Sequence, residues 1–240
     1  MQAGPEAAFS FWQERYCENC SKCSAIAACI ACARRRPRAD CVSLARGEVC
    51  CPGCSAKAIN TTFHGQSVLN DVLLWFVHLD LNEMFTWQDA ETQQHCRLPA
   101  IDLVDADMLE QRRGRPTVIS TRPGTHAQCQ IREQQDCNGW VVHDVSVVRG
   151  LPYAAMSAAM VYSLVECYLH MAPNNCSTGG VPASIQHAVC KLAVDLWLQE
   201  LLSEVCRRTH LASKQHSARL QPKCIHLARR CECLWHIVLV

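Results

Sequence analysis

The sequence predicts an α+β protein in which a cysteine-rich N-terminal region is followed by a mainly helical domain with a few short strands. Nine of the nineteen cysteines lie between residues 17 and 54. Beyond that stretch, apolar residues recur at helical spacing over several long segments. Two short segments rich in β-branched residues predict strands. We therefore expect a cysteine-rich region over 1–64, a helix with short strands over 65–135, and a mainly helical region over 136–240 that ends in a basic amphipathic helix.

The overall composition is that of a globular protein. The 240 residues are 49% hydrophobic and 19% charged, which separates the chain from disordered proteins. A net charge of +1 argues against binding nucleic acid through the charge of the whole protein. No apolar run reaches the roughly 20 residues that a transmembrane helix needs, so we expect no membrane span.

The cysteine spacing predicts a zinc site. Cys29-x2-Cys32-x18-Cys51-x2-Cys54 falls within the spacing of four-cysteine zinc sites, because two thiolates three residues apart can bind one ion from a single turn. Zinc would stabilise this region by on the order of 10 kcal/mol per site. Four further cysteines could hold a second ion: Cys17, Cys20, Cys23 and Cys41. Cys50 and His64 are additional candidates for that ion.

Three other states of these cysteines compete with zinc binding. A secreted protein would form disulfides, but we expect no signal peptide from the N-terminal residues, and nineteen cysteines cannot all pair. Cys17-x2-Cys20-x2-Cys23 begins like an iron–sulfur motif, although Cys29 stands where a nearer fourth cysteine and its proline are expected. The third alternative is that the cysteines are buried thiols that bind no metal ion.

The remaining elements follow from periodicity and capping residues. Helices are predicted over 67–85, 99–111, 154–171 and 184–208, and strands over 117–120 and 140–148. We expect Asp102, Asp105 and Asp107 to lie on a solvated helix face. The apolar face of the helix over 184–208 is predicted to contain Ile185, Val189, Leu192, Leu196, Leu202 and Val205.

Two further segments suggest contacts with other molecules. In the last one, Leu220, Cys224, Leu227, Cys231, Leu234 and Val238 alternate at intervals of four and three residues. Such an amphipathic helix can bind a partner groove or a membrane surface, or pack on its own domain. The other segment is a basic run formed by Arg34, Arg35, Arg36 and Arg38. Such a run is typical of a nuclear import signal, a nucleic-acid contact or simply a solvated loop.

No catalytic motif supports an enzymatic activity. The sequence lacks a phosphate-binding glycine loop, the nucleophile motif of hydrolases, the paired-histidine motif of zinc proteases and the deaminase signature. We therefore expect a protein that is not an enzyme.

Residues 137–152, CNGWVVHDVSVVRGLP, resemble a segment near the start of the adenoviral early region 4 34-kilodalton protein family. The likeness depends on Cys137-Asn138, His143, Val145-Ser146 and the run Val148-Arg149-Gly150-Leu151-Pro152. A second likeness over 68–122 includes Trp75-Phe76 and Met84-Phe85 at the family's separation. The two segments occur in the opposite order in the family.

This resemblance implies a non-enzymatic viral early regulatory adaptor that binds zinc. It implies pairing with the viral early region 1B 55-kilodalton protein and recruitment of a host cullin–elongin B/C ubiquitin ligase. The expected outcome is degradation of host proteins and support of viral late gene expression, in the host nucleus and also in the host cytoplasm. The alternative prediction is a zinc-dependent nucleic-acid-binding regulator in the nucleus.

The resemblance also implies two sets of partner-binding residues. One is the segment Arg149, Gly150, Leu151 and Pro152. The other is an elongin-binding helix pattern, for which the nearest match is Leu220-x3-Cys224-x3-Ala228. Arg219 stands where that pattern has a small residue, and Pro222 weakens the first helical turn.

Overall fold

A computed structural model describes residues 25–44, 47–79, 81, 99–113, 115, 117–119, 126–134, 139–171 and 182–215. Within these ranges the chain mixes helices and strands, as the predicted α+β class requires. The chain divides into two compact units, Met1–Lys57 with Leu198–Val240 and Ala58–Trp197. No helix in the described ranges is both long enough and apolar enough to cross a membrane.

The described N-terminal part of the first unit is built from two short hairpins and one helical turn. Strand β1 (Ile26–Ala28) pairs antiparallel with β2 (Arg35–Pro37), and a 3-10 turn covers Arg38–Asp40. Strand β3 (Val42–Ser43) pairs antiparallel with β4 (Val49–Cys50). The helical turn α1 (Pro52–Ser55) follows directly. Such short elements bury little apolar surface, so they require another source of stability.

The second unit contains a mixed four-stranded sheet. Its strands are β5 (Ala100–Val104), β6 (Val118–Ile119), β7 (Ala127–Gln134) and β8 (Gly139–Val148), in the spatial order β5-β8-β7-β6. Strand β5 is parallel to β8, whereas β7 is antiparallel to both of its neighbours. The sheet takes three strands from the region predicted over 65–135 and the fourth from the region predicted over 136–240.

Four α-helices complete the described elements. They are α2 (Thr62–His78), α3 (Ala106–Arg112), α4 (Tyr153–Met171) and α5 (Ala183–Gln215). Helices α2 and α4 pack on the sheet and on each other. Gly65 permits a close approach of α2 to β5, because a Cβ at this position would lie 2.9 Å from Cδ1 of Ile101. The buried sheet residues Cys129, Val145 and Val147 contribute to the core.

An aromatic contact joins α2 and the first half of α5 within the second unit. The ring centroids of Trp75 and Trp197 lie 5.6 Å apart in an edge-to-face arrangement. The indole Nε1–H of Trp197 donates a buried hydrogen bond to Oγ of Ser157 on α4 over 2.9 Å. This bond satisfies the polar end of an otherwise apolar side chain.

Three of the predicted elements agree well with the structure. Strand β6 lies within the segment predicted over 117–120, and β8 begins one residue before the segment predicted over 140–148. Helix α4 begins one residue before the helix predicted over 154–171 and ends with it. The helix predicted over 67–85 begins earlier, at Thr62, and α2 ends at His78.

The prediction of one helix over 99–111 was wrong. The segment forms β5, then Asp105 in an extended conformation, and only then α3. Parallel pairing with β8 explains the difference, because it buries Ile101 and Val104 in a sheet. Asp102 lies on β5 and pairs with Arg112 of α3, so the three acidic residues share no single helix face. Strand β7 was not predicted, although Ala127, Cys129 and Ile131 alternate with polar residues as in a half-buried strand.

The predicted apolar face of α5 is not the face that the second unit buries. Ile185, Val189, Leu192 and Leu196 are exposed, and Leu202 and Val205 are partly exposed. The buried face of the same helix contains Cys190, Val194 and Trp197. The helix has two apolar faces, and the large indole of Trp197 is the side chain that packs against Trp75.

Candidate metal centre

The first cysteine pair lies in the turn between β1 and β2. The N–H of Cys29 donates to the carbonyl of Arg34 over 2.8 Å, and the N–H of Ala33 donates to the carbonyl of Cys29 over 2.8 Å. Ala33 has a φ of 56°, a left-handed conformation that costs a non-glycine residue about 1–2 kcal/mol. The tight turn places Cys29 and Cys32 on one side of the hairpin.

The second cysteine pair lies where β4 meets α1. Cys51 is the extended residue that precedes the helical turn, and Pro52 occupies its first position. The carbonyl of Cys51 accepts hydrogen bonds from the N–H groups of Cys54 at 3.0 Å and Ser55 at 2.9 Å. Residues three apart lie on the same face of a helical turn, so the two thiols converge.

Backbone contacts bring the two pairs together. Cys29 forms a parallel bridge with Val49, and the N–H of Ile30 donates to the carbonyl of Val49 over 2.9 Å. The N–H of Cys51 donates to Sγ of Cys29 over 3.2 Å. These contacts position a partly buried cluster in which the four Sγ atoms all lie within 4.8 Å of one another: Cys29, Cys32, Cys51 and Cys54.

The distances suit a tetrahedral metal ion. A zinc–sulfur bond of about 2.3 Å implies sulfur atoms roughly 3.8 Å apart in a tetrahedron. The Sγ atoms of Cys32 and Cys51 are 3.7 Å apart. Four thiolates can therefore bind one ion with no position left for water or substrate, which is the pattern of a structural site. Tetrahedral sulfur coordination suits zinc or iron.

The thiols interact strongly with one another. Hydrogen bonds from Cys32 and Cys54 hold the pKa of Cys29 far below its ordinary value. The same interaction raises the pKa of Cys32 to about 12 and raises that of Cys54 as well. Without a metal ion, Cys29 is thus the thiolate, and it accepts hydrogen bonds from the thiols of Cys32 and Cys54. A cation in the cluster would replace these protons.

The other predicted ligands are placed differently. Cys50 is buried beside the cluster, and burial followed by the charge of Cys29 raises its pKa to about 12. Cys41 is partly exposed, and the four-thiol group of the described residues does not include it. Nδ1 of His64 forms a 2.9 Å hydrogen bond with Oγ1 of Thr61 in the first turn of α2. The predicted ligands Cys17, Cys20 and Cys23 lie outside the described residues.

The basic run lies on the hairpin that contains the first cysteine pair. Arg34 follows the turn, Arg35 and Arg36 belong to β2, and Arg38 begins the 3-10 turn. The N–H of Arg38 donates to the carbonyl of Ala25 over 2.6 Å. The side chain of Arg38 is exposed, and the other three arginines are partly exposed.

The segment predicted to bind a partner after β8 is held by contacts within the second unit. Nε of Arg149 lies 3.1 Å from a carboxylate oxygen of Asp105. Gly150 has a φ of 86°, which favours glycine, and its N–H donates to the carbonyl of Ile59. Leu151 is buried, and Pro152 bridges to Ala58. The backbone of this segment therefore has a structural role, and Arg149 offers an exposed side chain.

No family model, curated protein or solved structure matches this chain. The elongin-binding pattern at Leu220, Cys224 and Ala228 lies outside the described residues.

One polar contact was not predicted from the sequence. In it, Nη1 of Arg112 donates to both Asp102 and Ser146. Residues from three separate segments form it, and no short motif marks such a contact.

Proposed function

We propose that this chain is a non-enzymatic binding protein whose cysteine-rich N-terminal region is stabilised by one zinc ion. The observation that carries the proposal is the group of four Sγ atoms within 4.8 Å of one another. All four positions around such an ion are filled by cysteines, so the ion has a structural role and leaves no site for a reacting water. The small hairpins around it gain the stability that their few apolar contacts cannot supply.

Metal analysis tests this part of the proposal directly. The full chain is purified without chelators, and its metals are measured by mass spectrometry. We expect zinc from the four-cysteine cluster, about one ion per chain. The double variant Cys32→Ser with Cys54→Ser should lose that ion, whereas Cys206→Ser, at an exposed thiol on α5, should retain it. Equal zinc content in both variants would contradict the assignment.

The specific role that we propose is a viral early regulatory adaptor of the ubiquitin system. The resemblance of residues 137–152 to the adenoviral early region 4 34-kilodalton family supports this role. The proposed partners are the viral early region 1B 55-kilodalton protein and a host cullin–elongin B/C ligase, in the host nucleus and also the host cytoplasm. The exposed side chain of Arg149 is the proposed contact within the resembling segment.

An affinity capture experiment tests the adaptor. Tagged full chain is incubated with nuclear extract, with and without the early region 1B 55-kilodalton protein, and retained proteins are identified. We expect elongins and a cullin, and their loss when Leu220 and Cys224 are both replaced by alanine. The control is the paired replacement Leu202→Ala with Cys206→Ala, at a leucine and a cysteine on α5 that are also four residues apart. If elongin capture is unchanged when Leu220 and Cys224 are replaced, the proposed elongin contact is excluded.

A second candidate is a zinc-dependent nucleic-acid-binding regulator. The observation that favours it is the position of Arg34, Arg35, Arg36 and Arg38 on the hairpin that contains Cys29 and Cys32. Metal binding would fix the geometry of this basic hairpin, and binding to phosphates should weaken steeply with salt. Arg36→Ala with Arg38→Ala should reduce binding to labelled single-stranded and duplex probes. Arg207→Ala on α5 is the control, and equal binding by both variants would argue against this function.

A further inference from the structure

Helix α5 exposes an apolar stripe opposite the face that packs in the second unit. The packed face contains Cys190, Val194 and Trp197, all at most 6% exposed. On the other side, four large aliphatic residues are between 38% and 58% exposed. We define the α5 stripe as Ile185, Val189, Leu192 and Leu196.

The stripe has the spacing of a coiled-coil contact. Its members are separated by four, three and four residues, which is the alternation of the two apolar positions in a heptad. Eleven helical steps separate Ile185 from Leu196, so the stripe is about 16 Å long. Isolated exposed leucines are common on protein surfaces, but a continuous row of four on one helix marks an interaction surface.

The surroundings of the stripe favour close helix–helix contact. Two small residues flank it, Ala188 on one side and Ala193 on the other. Within 184–196 the charged side chains are Lys191 and Asp195, and neither belongs to the stripe. A facing helix would therefore meet no charge along the centre of the contact.

We propose that the α5 stripe pairs with the same stripe of a second copy of this chain, in antiparallel orientation about a two-fold axis. The axis would pass between Val189 and Leu192, so that Val189 of each copy meets Leu192 of the other. Leu196 of each copy would then meet Ile185 of the other. Each layer combines a β-branched residue with a leucine, and the first apolar heptad position faces the second, as antiparallel coiled coils require.

Charge placement supports this arrangement. With the axis in that position, Asp195 of one copy flanks Ala188 of the other and does not meet the second Asp195. The contact therefore keeps the two Asp195 carboxylates apart. The stripe itself carries no charge and is complementary to itself in size, so a second copy fits it and no additional partner chemistry is needed.

The size of the stripe sets the expected strength of the dimer. Four half-exposed aliphatic side chains offer a few hundred Å² per copy, below the roughly 800 Å² per partner of a standard stable interface. We expect a reversible dimer with a dissociation constant of about 10–100 μM. Sedimentation velocity of the purified full chain across this range should show a concentration-dependent shift from monomer to dimer.

A matched pair of variants tests the location of the contact. Leu192→Glu places a charge in the centre of the dimer and should raise the dissociation constant at least about tenfold. Leu74→Glu on α2 is the control, because Leu74 is 57% exposed and Leu192 is 58% exposed. Circular dichroism should show both variants folded. A monomer at every concentration, or a dimer that Leu192→Glu leaves intact, would overturn the proposal.

A charge-exchange experiment tests the orientation. Val189→Lys and Leu192→Glu should each weaken self-association, whereas a mixture of the two variants should recover dimers, because lysine then faces glutamate. A tagged Val189→Lys chain should therefore retain an untagged Leu192→Glu chain. A parallel pair would align residue 189 with residue 189, so failure of the mixture to recover would overturn the antiparallel contact.

Discussion

The backbone N–H of Cys51 donates to Sγ of Cys29 across the two cysteine pairs, over 3.2 Å. This hydrogen bond joins the hairpin turn to the start of α1 through atoms of the candidate metal ligands themselves. A thiolate at Cys29 would strengthen the bond, because hydrogen bonds to charged acceptors are about twice as strong as neutral ones. Metal binding and folding of this region should therefore be coupled.

Replacement of single cysteines should separate ligands from other thiols. We expect Cys29→Ser, Cys32→Ser, Cys51→Ser and Cys54→Ser each to reduce zinc content to near zero and to destabilise the region by several kcal/mol, since removal of one ligand opens the tetrahedral site. Cys41→Ser should keep the ion of this cluster. Zinc analysis and thermal melts followed by circular dichroism provide the two measurements. Loss of the ion in Cys41→Ser would show that the ligand set is incorrect.

Zinc affinity should rise with pH around neutrality. Cys32, with its pKa raised to about 12, and Cys54, with its pKa also raised, keep their protons in the metal-free cluster. Zinc must displace both protons, whereas Cys29, with its lowered pKa, is already a thiolate. Displacement of at least these two protons raises the apparent binding constant by about a hundredfold or more per pH unit. Competition with a chromophoric chelator between pH 6 and 8 measures this slope, and a flat profile would contradict it.

The buried hydrogen bond between Trp197 and Ser157 should contribute to stability. Ser157→Ala leaves the indole N–H without its acceptor, which costs about 1–3 kcal/mol. Ser203→Ala is a control, because its hydroxyl donates at an exposed position on the same helix as Trp197. Urea unfolding of both variants gives the comparison. Equal midpoints would mean that the Trp197 N–H finds another acceptor.

A larger side chain at residue 65 should disturb the contact between α2 and β5. Gly65→Val places new atoms against Ile101 and Leu103, so we expect a loss of about 1–3 kcal/mol. Ser67→Val introduces the same side chain at an exposed position on α2 and should have little effect. Thermal unfolding compares the two proteins. Similar stability would show that the sheet can move away from the helix at low cost.

The four-cysteine cluster was predictable because its signal is local. Each pair of thiols three residues apart converges within one turn, and backbone contacts between the first hairpin and β4 then bring the two pairs together. Spacing alone could not predict whether Cys41 and Cys50 belong to the cluster, since their positions depend on the path of two hairpins. The identity of the metal rests on the same local chemistry and stays a prediction.

The elements that sequence patterns misassigned depend on distant pairing. The segment that contains Ile101 and Val104 becomes a strand because β8 lies beside it. On α5, periodicity identified an apolar face correctly as a pattern, but the contact between Trp197 and Trp75 decides which face is buried. Both outcomes depend on residues far away in the chain, which a short window of sequence does not contain.

The parallel pairing of β5 with β8 has a consequence for synthesis on the ribosome. Ala100 pairs with Asp144, so β5 emerges from the ribosome well before the strand that covers it. At a translation rate of 5–20 residues per second, β5 remains unpaired for roughly 2–9 s before β8 has been synthesised. During that interval its unpaired N–H and C=O groups can be bound by a chaperone or by another nascent chain. The speed of translation through β6 and β7 should therefore influence how much of the protein reaches its native state.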